Sequence, residues 1–272
     1  IFWKNFPIAK LSPGKDYLNP EINLIIDDMI DGNDKSDFSR FLQNWINEKI
    51  NSELKSLTDL KNINTQNTSI RALAYQLYEN NGVIKRENVK DFVKKLTQDE
   101  RKVLRTLGVK FGRYHIFLFK LFKPSAVSLR IALWKNFHQK YFDLKPPTFG
   151  LNFLNEKKEY SKDFMLLCGF EKFDNFFVRI DILERLFMTI MKLRDEKEKD
   201  KEIKLIPEML NLLGCSKENF LKLIKKMHYS SYTKNDETYF RYVPTRNNKK
   251  QFSPKLAKKE NPFSILKNMN FK

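Results

Sequence analysis

The chain has 272 residues, enough for one large domain or two to three small ones, and its 41% apolar content supports a buried core, which excludes wholesale disorder. No apolar run approaches the length of a membrane-spanning helix, and the 2 cysteines and 3 histidines, all widely spaced, exclude a disulfide framework and a zinc constellation. Lys and Arg outnumber Asp and Glu by 51 to 33, and the resulting +18 favours a polyanionic partner even after allowing for Lys-rich residue usage.

Residues 1–36 read as a small β-rich element. Phe2-Trp3 and Ile8-Ala9 sit around Pro7, Ser12-Pro13-Gly14-Lys15 is a turn signal, and an apolar run from Ile22 to Ile26 follows Pro20. Residues 37–145 read as a helical domain. Phe38, Phe41, Leu42, Trp45, Ile46, Ile50 and Leu54 make one helical stripe behind an Asp37 N-cap, and that pattern runs to Leu60. A second helix is expected over Ser69 to Tyr78, stopped by Asn80-Asn81-Gly82, and a third over Lys85 to Leu96. Thr97 and Glu100 have capping-box spacing for a fourth, closed by Gly108. Gly108 and Gly112 then flank an aromatic-basic stretch of Phe111, Arg113, Tyr114 and His115. Pro124 suits the first turn of a helix that runs to Asn136.

Residues 146–163 read as a linker, with Pro146-Pro147 and Gly150, and residues 164–243 as a helix-turn-helix-like unit. Asp181 and Glu184 have capping-box spacing for a helix to about Arg194, and the mixed charges from Arg194 to Lys204 read as a solvated loop or frayed helix. A short helix from Pro207 to Leu213, a Gly214-Cys215 turn, a Ser216 cap, a helix from Lys217 to Met227 and a strand over Tyr239 to Val243 follow in the order of a helix-turn-helix with a wing. From Arg241 onward nine Lys or Arg face one acid, Glu260, so residues 244–272 are expected to form a basic, disordered tail. No internal repeat is visible. The expected fold is mainly α: a helical bundle with a small β-rich N-terminal element and a winged-helix/helix-turn-helix-like C-terminal unit.

Catalytic and metal motifs are missing from the sequence: there is no G-x-S-x-G, H-E-x-x-H or C-x-x-C, so no catalytic or metal residue is assigned. Gly14-Lys15 is not a phosphate loop, because Ala9 stands where the first Gly belongs and Asp16 where Ser or Thr would hold magnesium. Cys215 lies beside a helix N-terminus, which can lower a thiol pKa, although a buried structural thiol is the simpler reading. The candidates for nucleic-acid contact are Lys110, Arg113, Tyr114, His115 and Lys123, which mix cations with aromatics, and Lys222, Lys225 and Lys226 on the last helix.

Several stretches, taken together, resemble the region C-terminal to the motor in alphaproteobacterial DExH-type superfamily 2 helicases, relatives of the mitochondrial degradosome RNA helicase. They are Ile1-Phe2-Trp3 with Ile8-Ala9-Lys10-Leu11 and Pro13-Gly14, then the run from Leu107 to Leu118, and then Leu121, Lys123, Pro124, Leu129 and Leu133-Trp134. Arg179 to Leu186, Pro207 to Leu210 and Leu213-Gly214-Cys215 complete the order, so the likeness covers residues 1 to about 230. Phe119 stands where Pro is usual and Lys110 where Arg is common. The resemblance implies a parent ATP-dependent helicase whose motor domains, with their ATP and Mg²⁺, lie upstream of Ile1; no cofactor is expected in this chain. It also implies RNA or DNA as partner, single-stranded or duplex, a place in the bacterial cytoplasm, and no membrane. The alternative expectation is a protein-interaction module that docks a nuclease or a ribosome without touching nucleic acid.

Overall fold

The computed structural model describes residues 1–25, 32–139, 142–155, 160–195 and 202–243. The chain opens with a two-residue hairpin, β1 Phe2–Trp3 and β2 Phe6–Pro7, turned by Lys4 and Asn5 at φ 44 and 73. A second antiparallel pair follows, β3 Ala9–Ser12 with β4 Glu21–Leu24. Helix α1, Gly32–Glu53, carries the apolar stripe, and α2, Lys55–Lys61, continues after a break at Leu54. Asp37 lies inside α1 and pairs with Arg40 at 2.9 Å, so it is not the N-cap read from the sequence.

From residue 68 onward three related units follow one another, the first and third with the same element order and the second with one helix fewer. The first unit is α3 Thr68–Glu79, β5 Val83–Lys85, α4 Lys90–Lys95, α5 Gln98–Thr106, β6 Val109–Phe111 and β7 His115–Leu118. A one-turn 3₁₀ helix, Phe119–Phe122, leads to the second: α6 Pro124–His138, β8 Phe153–Asn155, α7 Lys162–Leu167, β9 Phe170–Phe173 and β10 Phe176–Arg179. The third is α8 Ile180–Asp195, β11 Glu202–Lys204, α9 Pro207–Leu213, α10 Lys217–Lys226, β12 Tyr229–Lys234 and β13 Glu237–Tyr242. Each unit closes a three-stranded antiparallel sheet in which its last strand is central: β5-β7-β6, β8-β10-β9 and β11-β13-β12. In the first and third units helix, strand, helix pair and hairpin follow in the order of a winged helix, with the hairpin as wing; the second has the single helix α7 in place of the pair. In each unit a left-handed residue turns the last helix into the wing: Gly108 at φ 91, Gly169 at φ 90 and His228 at φ 64.

The expectation of a mainly α bundle is therefore wrong. About 50% of the described residues are helical and 22% are in strands, arranged as five small antiparallel sheets, which makes a mixed α/β fold. The physical reason is strand length. Strands such as His115–Leu118, with four consecutive buried residues, are too short and too uniformly apolar to show a two-residue alternation. The helix expected over Lys85 to Leu96 is strand β5, a turn and the six residues of α4. The Thr97–Glu100 capping box and the Asn-Gly stop after α3 are present as read, and the likeness of the three units was not visible in the sequence. Residues 244–272, read as a basic tail, lie outside the described residues.

The largest apolar core runs beneath α1 to α6 and includes Leu54, Leu57, Leu73, Leu104, Ile116 and Leu133. A second lies under the third unit, around Leu183, Phe187, Phe220 and Phe240. A third lies within the second unit, where Val127 and Ile131 of α6 pack against Phe164 and Phe177. Val83 and Phe117 of the first unit and Ile180 of the third, with Leu166 of the second packed against them, connect the units in one small cluster. Each fully buried side chain of this kind contributes about 1.5–3 kcal/mol. Among the described residues, no helix is long and apolar enough to cross a membrane.

Candidate nucleic-acid interface

The three units meet at a polar junction. Strands β6 and β7 are joined through Gly112, Arg113 and Tyr114, and the Gly112 N–H donates to His115 O at 2.8 Å to close the turn. Glu184 projects from the buried stripe of α8 and is only 3% exposed. Its carboxylate accepts three successive backbone N–H groups: Arg113, Tyr114 at 2.9 Å and His115 at 2.7 Å. Consecutive amides converging on one anion form a nest, here filled by the protein's own carboxylate. Gly112 is required at this corner, because a Cβ there would overlap the Glu184 carboxyl group. The capping role read for Glu184 is therefore not made; its carboxylate is turned into the neighbouring unit.

His115 is 3% exposed and continues the network. Its Nδ1 lies 3.1 Å from Glu184 and its Nε2 3.2 Å from Glu171 on β9, and Glu171 in turn accepts Lys85 Nζ of β5 at 2.5 Å. Burial alone would lower the His115 pKa, but hydrogen bonds and charge from the two glutamates outweigh it and raise it. Glu171 is shifted the other way: burial would raise it, yet His115 and Lys85 hold it below the usual carboxylate value. The network draws on all three units and fixes the loop that carries Arg113.

Above this junction lies an open cleft of about 640 Å³. It is lined by Lys85, Arg86 and Lys90 from the first unit, by the loop Arg113 to His115, by Lys172, Phe173 and Asp174 from β9 and its turn, and by Lys226 to His228 at the end of α10. Six Lys and Arg line it against the three acids Glu87, Glu171 and Asp174. Arg86 is held by Gly112 O at 2.7 Å, and Lys226 reaches Asp174 at 2.5 Å across the cleft. Tyr114 packs its ring edge-on against Phe187 with centroids 4.7 Å apart, which anchors the loop in the third unit's core.

Of the residues singled out in the sequence, Arg113, Tyr114, His115 and Lys226 come together here, with His115 behind the surface. Lys222 and Lys225 line an adjoining groove of about 670 Å³ between α10 and β12, where Lys222 pairs with Glu218 at 2.7 Å; His228 borders both spaces. Lys110, exposed on β6, and Lys123, exposed before α6, line neither. Sequence reasoning missed Lys85, Arg86, Lys90, Glu171, Lys172, Phe173 and Glu184. Glu184 did leave a signal: it shares a helical stripe with Ile180, Leu183 and Phe187, where a lone acid needs a buried partner.

Burial pushes the Cys215 thiol up to about 11 and Cys168 up to about 12, so neither is an activated nucleophile. Among the described residues, no group of three His, Cys, Asp or Glu could hold a metal ion. No family model matches the chain, and no curated protein or solved structure is significantly similar to it.

Proposed function

We propose that the chain is the accessory nucleic-acid-binding region of an ATP-dependent RNA or DNA helicase, and that the cleft at the junction of its three units holds single-stranded nucleic acid beside motor domains in the same parent chain. The observation that carries this reading is the cleft itself, in which six cations from all three units line one open groove. The +18 charge and the ordered resemblance to the post-motor region of DExH helicases support it. ATP and Mg²⁺ would be bound by the motor domains and not by these residues.

Lys and Arg neutralise successive phosphates, which requires no particular base sequence. The Glu184 nest and the His115 bridge hold the Arg113 loop in place before the strand arrives, so little ordering cost falls on binding. Lys226 exchanges Asp174 for a phosphate, a swap between two anions at an exposed site.

The test is fluorescence anisotropy of a labelled single strand at low salt. Arg113→Glu with Lys226→Glu should weaken binding at least 10-fold, on the order of two lost phosphate contacts. Lys110→Glu with Lys123→Glu, the same charge change outside the cleft, should change it less than about 3-fold. Equal losses in both would remove the cleft from the reading, and no binding by the wild type would remove nucleic acid. In that case the protein-docking alternative gains, and one feature favours it: Phe2, Trp3 and Phe6 stand exposed on the β1–β2 hairpin.

A further inference from the structure

The second unit's sheet carries a ladder of aromatic rings. Phe153 on β8 stacks on Phe176 of β10, with centroids 5.0 Å apart and planes 18° apart. Phe176 stacks on Phe173 of β9 at 5.5 Å and 16°. Phe173 and Phe176 are direct partners in the ladder of β9 and β10, which sets the ring spacing. Phe176 is buried, whereas Phe173 keeps partial exposure and lines the cationic cleft between Lys172 and Asp174. One face of the Phe173 ring is covered by Phe176, so the ladder ends at the cleft.

We infer that Phe173 is a base-stacking residue and that the cleft takes an unstacked base of a single strand as the next member of this ladder. The inference rests on the nucleic-acid reading above and narrows its substrate class. Every base offers a π face to such a platform, so stacking is sequence-tolerant. The bases of a duplex interior are already stacked on one another and cannot be offered without opening the helix. Lys226 borders the position from α10, where a phosphate beside a splayed base would lie; Lys172, one residue before Phe173, is on the other face of the sheet, with its Nζ 5.6 Å from the centre of the Phe177 ring. The ligand is therefore a single strand, RNA or DNA, or a single-stranded overhang.

The experiment uses the whole chain and short labelled RNA and DNA strands, each prepared intact and fully abasic, together with a duplex of the same sequence. Wild type should bind an intact strand about 10-fold more tightly than its fully abasic counterpart, and should quench a 2-aminopurine placed in the strand. Phe173→Leu keeps an apolar side chain on Phe176 but has no π face; it should lose about 10-fold on intact strands, lose the quenching and keep the same salt slope. Phe173→Trp should retain both. Wild type that binds strands but does not distinguish intact from abasic, or tighter binding of the duplex, would overturn the stacking role and leave the electrostatic reading standing. Failure of wild type to bind any strand at low salt would overturn both.

Discussion

At the scale of single residues, the cleft depends on a network whose central acid, Glu184, does not line it. Glu184 neutralises three backbone amides and faces His115, whose other nitrogen faces Glu171, which is salt-bridged to Lys85. Two acids and two cations thus balance when the imidazole is protonated, and the raised His115 pKa favours that form in the folded state. The linkage has a definite sign. A group raised above its unfolded value of about 6.5 contributes its full stabilisation below that pH and loses it as pH rises through the folded value. Comparing thermal midpoints of wild type and His115→Gln from acid to alkaline pH tests this. The gap should be widest below about 6.5 and narrow steadily above it. A gap that widens with pH would mean the imidazole is neutral in the fold. Glu184 was legible as an anomaly, an acid on an apolar stripe, but its partners lie about seventy residues away in sequence, beyond any local pattern.

At the scale of elements, helix ends were easier to read than strands. Thr97, Asn80 and Ser216 act through neighbours three or four residues away, so their signals are local. Strands of three or four residues are defined by partners elsewhere in the chain, as when Lys85 pairs with His115, and the sequence around Lys85 carries no trace of that register. Helix α6 illustrates the same point with a charge. Arg130 is fully buried and donates to Asn81 O and Leu121 O, both at 2.9 Å, tying the turn after α3 to the 3₁₀ helix. Burial lowers its pKa to about 10, so it remains a cation at neutral pH. Arg130→Ala leaves two buried carbonyls unpaired and opens a cavity, and should lower unfolding stability by about 2–4 kcal/mol in a urea titration. A loss under about 0.5 kcal/mol, the level typical of surface substitutions, would show that the helix is held by its apolar contacts alone.

At the scale of the whole molecule, the three units close on the same kind of three-stranded sheet and differ in what they present. Helix α10 keeps Lys217, Lys222, Lys225 and Lys226 exposed, and α5 exposes Lys102 and Arg105. The equivalent helix of the second unit, α7, buries Phe164, Met165 and Leu167, so it has little free face to enter a groove. That unit contributes its wing to the shared cleft instead, through Glu171 to Asp174. That arrangement favours the proposed strand held where the units join over a reading of duplex DNA by three separate helices. The likeness of the units escaped the sequence because they share a closing three-stranded sheet and the left-handed corners at Gly108, Gly169 and His228, but no common residue pattern. The most direct measurement is the salt dependence of single-strand binding, wild type against Arg113→Glu with Lys226→Glu. Three or four phosphate contacts should give a slope of log affinity against log salt of about −2 to −3, and the double variant should be shallower by about 1.4. A slope near zero, or the same slope in both proteins, would contradict a strand held by this cleft.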